Sequence, residues 1–70
     1  MKVRVRVKLV RRDEEFELEV EKGSKVEDVL RRLGLNPGEY VTVLNGEVVP
    51  EDETIDEPAE LKLVPVVSGG

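Results

Sequence analysis

Few residue types in this 70-residue chain could perform chemistry, because it contains no histidine and no cysteine. Those absences exclude disulfide bonds, zinc fingers, a catalytic thiol and acid–base catalysis by an imidazole. What remains are 16 acidic residues, 11 basic residues and a sequence that ends on Gly69 and Gly70. Glycine buries no side chain and loses much backbone entropy when ordered. The pair therefore indicates either a frayed tail or a segment with a function of its own.

The carboxylates are densest in an acidic run that consists of Glu51, Asp52, Glu53, Asp56 and Glu57. Such a run could hold a hard cation, but the ligand spacing of an EF-hand is missing. A solvated loop that steers the protein toward a basic partner is the more typical interpretation. Paired carboxylates could also indicate a glycosidase, yet a domain of this size leaves little room for a substrate pocket. We therefore predict neither a metal site nor an active site.

Basic residues occupy every second position of the first segment, in the order Lys2, Arg4, Arg6 and Lys8. Such a stripe could contact nucleic acid, but the net charge is -5 and no aromatic residue interrupts the stripe as a base-stacking platform requires. We expect these cations on a solvated strand face, neutralised by glutamates of the next strand. Charged residues make up 39% of the chain, a composition common in proteins from hot habitats.

Strict alternation of charged and apolar residues predicts that the chain opens with a β-hairpin. The segments KVRVRVKLV and EFELEVE each repeat with a period of two, which is typical of half-buried strands. With the turn in the intervening RRDE, we predict that Arg6 lies opposite Glu19 and that Leu9 lies opposite Phe16. This register pairs opposite charges on one face and apolar residues on the other.

The segment SKVEDVLRRLG carries the signals of one short amphipathic helix. Ser24 and Glu27 are spaced as a capping box at its start, and Gly34, with Pro37 behind it, ends it. Its apolar stripe consists of Val26, Val29, Leu30 and Leu33. A helix with a single apolar face must lie against a sheet.

A second hairpin and a last strand complete the predicted sheet. Asn45 and Gly46 form the hairpin turn because both residues tolerate positive φ, and Pro50 ends its second strand. Residues 51–60 are predicted to form a loop, from which Ile55 packs under the sheet or the helix end. In the last strand, Pro65 lacks a backbone donor and is predicted to end the pairing.

This order of elements predicts an α+β fold, with a mixed sheet of four to five strands and one helix packed on one face. The first and last strands should be central and parallel, following the right-handed crossover rule. We predict a single domain over residues 1–66 and a flexible tail over residues 67–70. Because neither a signal peptide nor a membrane-length apolar run is evident, we expect a cytoplasmic protein that is monomeric when free.

The element order and the segments LNGEVVPEDETI and LKLVPVVSGG together resemble the ubiquitin-like, or β-grasp, sulfur carriers. That family includes the sulfur carrier of the thiamine pathway, the small subunit of molybdopterin synthase and archaeal ubiquitin-like modifiers. The resemblance covers nearly the whole chain and is carried above all by a β-grasp order that ends on Gly-Gly. The very acidic loop and the small number of aromatic residues, Phe16 and Tyr40 alone, depart from the family's pattern.

The resemblance implies a non-catalytic carrier that binds no cofactor of its own. A partner enzyme would use ATP and magnesium to adenylate the carboxylate of Gly70, and Gly69 would leave that carbonyl accessible in a narrow channel. A sulfur donor, such as a cysteine desulfurase or a rhodanese-type protein, would then convert the adenylate to a thiocarboxylate. An acceptor synthase would use the sulfur in thiamine or molybdopterin biosynthesis, or in tRNA thiolation.

In ubiquitin-like proteins the open face of the sheet meets the activating enzyme, so the resemblance also implies a docking surface. With Val41 and Val43 pointing inward, we predict that Tyr40 and Leu44 lie on the open face beside Val64. A contiguous apolar patch there would indicate an interaction site, whereas scattered exposed apolar residues are normal on protein surfaces. The predicted partner-binding residues are Tyr40, Leu44, Val64, Val66, Val67 and Ser68.

Two alternatives to the sulfur carrier stay open. The chain could be a ubiquitin-like modifier whose activated Gly70 is conjugated to target lysines, and the sequence does not separate the two functions because both need adenylation. It could also be a β-grasp interaction module with an incidental tail. The acceptor pathway and the partner enzymes are equally undetermined by the sequence.

Overall fold

The computed structural model describes residues 1–66 and confirms the α+β architecture of one helix on a mixed sheet. In chain order the elements are β1 (Lys2–Leu9), β2 (Glu14–Glu21), β3 (Ser24–Lys25), α1 (Val26–Arg32), a 3-10 helix (Pro37–Glu39), β4 (Tyr40–Leu44), β5 (Glu47–Val49), β6 (Thr54–Ile55) and β7 (Ala59–Pro65). The main sheet has the strand order β2-β1-β7-β4-β5, and its central strands β1 and β7 run parallel, as predicted. The predicted tail over residues 67–70 lies outside the described residues.

Strand alternation and the helix stripe meet in one core between α1 and the sheet. The buried apolar residues are Val3, Val5, Val7, Leu9, Val20, Val26, Val29, Leu30, Ile55, Leu61 and Leu63. Ile55 is 1% exposed, which confirms that it packs into the core from within the acidic segment, residues 51–57. Leu33, the last member of the helix stripe, is partly buried. Phe16 lies opposite Val7 rather than Leu9 and stays 37% exposed.

The first hairpin forms as predicted, but its register is offset by two residues. Arg6 lies opposite Glu17 rather than Glu19. An offset of two leaves every side chain on its predicted face, so the alternation is satisfied equally well in both registers. The shorter turn, residues 10–13, closes the hairpin because Asp13 adopts a φ of 51° and donates its N–H to the Val10 carbonyl oxygen at 3.4 Å.

The helix begins at Val26 without the predicted cap from Ser24. Ser24 instead belongs to β3, which pairs with β6 within the acidic segment. The first helical amides are satisfied by that same segment, because Val26 N–H donates to the Glu53 carbonyl oxygen at 2.9 Å and Glu27 N–H donates to the Glu51 carbonyl oxygen at 2.8 Å. The helix amides that a capping side chain usually satisfies are thus satisfied by backbone that is distant in sequence.

Both predicted turns with positive φ form. Gly34 has a φ of 77°, and the Leu35 N–H donates to the Leu30 carbonyl oxygen at 2.8 Å, which is the Schellman ending of a helix. Asn45 and Gly46 have φ values of 50° and 85°, as a type I′ hairpin turn requires. These two local signals therefore place the end of α1 and the β4–β5 hairpin.

Pro65 is the last residue of β7 and of its register with β4, as predicted. It lies opposite Tyr40, and the Val66 N–H donates to the Glu39 carbonyl oxygen at 2.8 Å, which closes this last pair. A proline removes only its own backbone donor, so it can occupy the final position of the strand. Pro50 likewise follows the end of β5, as predicted.

Candidate functional site

The open face of the sheet, which α1 leaves uncovered, is the candidate site, and strand β4 presents it differently from the prediction. Thr42 is only 4% exposed and faces the core. Tyr40 and Leu44, two residues to either side of Thr42, share that face and pack against the core. Their predicted position on the open face is wrong, because Val41 and Val43 occupy it instead.

The neighbouring strand β7 explains this orientation of β4. Leu44 lies opposite Leu61 and Thr42 lies opposite Leu63, and both leucines of β7 are fully buried. Directly opposed residues share a face of the sheet, so the core face of β7 determines the core face of β4. Thr42 tolerates burial because its hydroxyl donates to the Val49 carbonyl oxygen at 2.7 Å.

Four valines from three adjacent strands form a continuous patch on the open face, here called the valine patch: Val41, Val43, Val48 and Val64. Val41 lies opposite Val64, and Val43 lies opposite Val48. Val41 is 39% exposed and Val48 is 73% exposed. Such a contiguous apolar patch on an otherwise charged surface is a candidate interaction site.

Two lysines border the valine patch on the side of the central strands. Lys62 of β7 lies opposite Val43 of β4, and on its other side it lies beside Lys8 of β1. Like charges in adjacent positions of a sheet repel each other. Lys8 also lies opposite Glu15, so Lys62 is the cation directly beside the patch. A partner surface that is apolar at its centre and carries a carboxylate opposite Lys62 would match this arrangement.

The other half of the open face consists of paired charges. The Arg6 guanidinium lies 3.1 Å from the Glu17 carboxylate, and that of Arg4 lies 3.9 Å from it. The hydrogen bond from Arg6 to Glu17 and the charge of Glu17 raise the pKa of Arg6. The predicted neutralisation of the basic stripe by the next strand is therefore present, while the predicted lack of a nucleic-acid function stays a prediction.

The acidic segment, which could have held a cation, instead supports the helix start through its backbone. Within residues 1–66, no three acidic side chains are grouped as metal ligands would be. In the same part of the chain, no helix is long and apolar enough to cross a membrane.

Only part of the predicted docking surface is present as predicted. Val64 lies in the valine patch, and Val66 is 51% exposed directly after β7. The predicted residues Val67, Ser68, Gly69 and Gly70 lie outside the described residues. The docking function of this surface stays a prediction.

Three members of the valine patch were missed from sequence: Val41, Val43 and Val48. A signal for two of them was present in the Asn45–Gly46 turn. A two-residue hairpin loop makes Leu44 and Glu47 a pair, which places Val43 and Val48 opposite each other on one face.

Comparison with known proteins gives a family that agrees with this geometry. The family described as small archaeal modifier protein 2 matches residues 1–67 of the chain. An uncharacterized protein of Archaeoglobus fulgidus is 38% identical over 69 residues, which cover 97% of this chain and 100% of that protein.

Solved structures show the same fold at lower identity. A putative molybdopterin converting factor subunit 1 from Pyrococcus furiosus superposes with a TM-score of 0.72 at 22% identity, covering 93% of this chain and 99% of that chain. A ubiquitin-like protein from Trypanosoma brucei gives 0.68 at 22% identity, over 94% and 96% of the two chains. A Haloferax volcanii protein gives 0.75 at 18% identity, over 99% and 88%. The chain therefore belongs to the small archaeal modifier protein 2 family and has the ubiquitin-like β-grasp fold.

Proposed function

We propose that this chain is a carrier protein activated at the carboxylate of Gly70. One observation supports the proposal above all. The valine patch includes Val64 of the central strand β7, and the last described backbone pairing of that strand is at Val66, four residues before Gly70. A partner that binds the patch would therefore lie close to the Gly69–Gly70 segment.

The proposed chemistry has two steps, and the partner catalyses both. A carboxylate oxygen of Gly70 attacks the α-phosphorus of ATP, pyrophosphate leaves, and a mixed anhydride with AMP forms with the help of magnesium. In the second step a persulfide sulfur of the donor protein attacks the carbonyl carbon and AMP leaves, which gives an acyl disulfide. A cysteine thiol of the partner or donor then attacks the donor's sulfur in that S–S bond, a protein disulfide forms, and the C-terminal thiocarboxylate is released. This chain supplies the substrate group. The acceptor synthase would take the sulfur for cofactor biosynthesis or tRNA thiolation.

The length of chain beyond the last pairing limits where the partner's active site can lie. Four extended residues span about 14 Å at most. The site of adenylation would then lie within that distance of Val66 when the valine patch is bound. The Gly69–Gly70 pair would allow the walls of the partner's channel to close on the backbone.

A second function, protein modification, is supported by the name of the family to which the chain belongs. It shares the adenylation step, but a lysine amine of a target protein attacks the activated carbonyl and an isopeptide bond forms. The two functions differ only in the nucleophile, so they differ in product and not in the surface that the activating enzyme would bind.

Intact-mass analysis of the protein purified from its native cells distinguishes these products. We expect a fraction of the chain with one oxygen replaced by sulfur. Because the chain contains no cysteine, a thiol-reactive alkylating reagent should label that fraction alone, and protein made without its partners is the control. Lysine-linked adducts without any thiocarboxylate would favour the modifier, and a lack of both products would contradict activation at Gly70.

Val41→Asp is expected to weaken binding of the activating enzyme by at least about tenfold, because a charge would be placed in the centre of an apolar interface. The unfolding midpoint should stay nearly unchanged, since Val41 is 39% exposed. Titration calorimetry with the cognate enzyme and urea denaturation provide the two measurements. Thr54→Asp adds the same charge at an exposed position on β6, outside the main sheet, and should leave the dissociation constant unaltered.

Leu44→Asp tests which face of β4 is turned toward the core. Because Leu44 packs against the core, this change should destabilise the fold. If Leu44→Asp left the unfolding midpoint unchanged while Val41→Asp lowered it, the orientation of β4 described above would be contradicted.

A further inference from the structure

A small pocket lies on the side of the sheet opposite the valine patch, near the end of β7. It has a volume of about 100 Å³ and is lined by Leu9, Arg11, Arg12, Leu35, Tyr40 and Leu63. Leu9, Leu35 and Leu63 contribute apolar lining, and Arg11 and Arg12 are the charged residues of the lining. Among residues 1–66, no carboxylate lines it. We call it the arginine pocket.

Backbone hydrogen bonds hold the walls of the arginine pocket in place. The Val10 N–H donates to the Leu63 carbonyl oxygen at 3.2 Å, which fastens the β1–β2 turn to β7. On the other wall, the Leu35 N–H donates to the Leu30 carbonyl oxygen at 2.8 Å at the end of α1. A binder would therefore meet a largely preformed site, which reduces the entropy lost on binding.

Arg11 and Arg12 belong to the larger group of basic residues that form no ion pair within residues 1–66, together with Arg32 and the five lysines. Within residues 1–66, ion pairs engage the amino group of Met1 and the guanidiniums of Arg4, Arg6 and Arg31, but neither Arg11 nor Arg12. The acidic run is remote from them, because its backbone caps the start of α1 whereas the pocket lies at the end of that helix. The positive charge at this edge is thus not neutralised by an ion pair among the described residues.

The size of the arginine pocket selects the class of occupant. Sites for small molecules usually measure about 300–1,000 Å³, so a nucleotide does not fit, whereas one aliphatic side chain does. A protein segment with an apolar side chain and a neighbouring carboxylate matches both the leucines and the arginines of the lining.

We propose that the arginine pocket is a second docking point for the adenylating partner, and that it accepts an aliphatic side chain flanked by aspartate or glutamate. The inference rests on the proposed function, because the partner is the enzyme that activates Gly70. Strand β7 contributes Val64 to the valine patch on one face and Leu63 to the pocket on the other. A partner that contacts both faces clamps the end of β7 and thereby fixes the direction in which Gly69 and Gly70 extend.

The test compares two doubly charge-reversed variants of the full chain. Arg11→Glu with Arg12→Glu reverses the charges that line the pocket. Lys2→Glu with Lys22→Glu makes the same change in net charge at the other end of the β1–β2 hairpin. In titration calorimetry with the cognate activating enzyme, we expect at least about a tenfold weaker affinity for the arginine variant. The lysine variant should change it by less than about twofold. Arg11→Lys with Arg12→Lys, which keeps the charge, should recover most of the affinity.

Each other outcome overturns the inference. Equal losses in the two charge-reversed variants would indicate a nonspecific charge effect, an unchanged affinity of the arginine variant would remove the pocket from the interface, and a tighter affinity would indicate that the arginines hold the chain's own tail. Urea denaturation of each variant verifies that it is folded. The chain without Gly70, tested in parallel for ATP–pyrophosphate exchange, separates failure of this inference from failure of the proposed function.

Discussion

Removal of Gly70 is expected to abolish ATP–pyrophosphate exchange by the cognate adenylating enzyme and to leave the free energy of unfolding unchanged. The shortened chain still ends in a carboxylate, that of Gly69, but this group falls about 3.5 Å short of the reacting position. A misplacement of about 1 Å can already lower a rate about a hundredfold. Stability should not change, because the buried core of the described part of the chain already extends from Val3 to Leu63.

The binding step and the chemical step can be separated at Gly69. Gly69→Val should leave the dissociation constant nearly unchanged, because the valine patch is intact, yet it should slow exchange by crowding the carbonyl and the channel. Ordering the tail costs about 1–2 kcal/mol per residue, which contacts at the valine patch would have to offset. The enzyme must come from the same organism. If the chain lacking Gly70 supports exchange at the wild-type rate, the proposed activation is wrong and an interaction module becomes the better interpretation.

Leu30→Ala is expected to lower the free energy of unfolding by about 2–5 kcal/mol, the range for truncating a large buried side chain. Leu30 is fully buried, in a core that also includes Leu61 and Leu63 of the central strand. Small domains are stabilised by only about 5–15 kcal/mol in total, so this single change should remove a large fraction of the stability. Urea denaturation followed by circular dichroism measures the loss.

Leu33→Ala is the matched control for that change. Leu33 is on the same helix stripe but is only partly buried, so its truncation leaves a smaller cavity and should cost less. Surface substitutions usually change the free energy of unfolding by less than about half a kilocalorie per mole. A loss that small for Leu30→Ala would mean that Leu30 is not buried. Such a result would contradict the packing of α1 on the sheet.

The candidate site was predictable from sequence in its location but not in its composition. The open sheet face beside the end of the last strand was expected, and Val64 lies on it. The sequence places Tyr40 and Leu44 on the wrong face, because β4 contains apolar residues at both odd and even positions and alternation alone does not identify its buried face. The arginine pocket was missed because its lining comes from three separate segments, and no short stretch of sequence brings Arg11, Leu35 and Leu63 together.

The sequence by itself determined those features that depend on backbone conformation and periodicity over a few residues. Charge alternation identified the two faces of the first hairpin, and the apolar stripe around Leu30 identified the buried face of α1. Gly34 and the Asn45–Gly46 pair placed the end of the helix and the second hairpin, because positive φ is a local requirement. The order of these elements, with one helix after the first hairpin, was enough to predict the β-grasp architecture.

Only the tertiary structure decided features that several local solutions satisfy equally. A two-residue slip of the first hairpin preserves every face, so pairing Arg6 with Glu17 depends on how the turn closes. The start of α1 depends on carbonyl groups of Glu51 and Glu53, which are distant in sequence. The orientation of β4, and with it the valine patch, follows from β7, because opposed residues of paired strands share a face and the buried leucines of β7 leave β4 one arrangement.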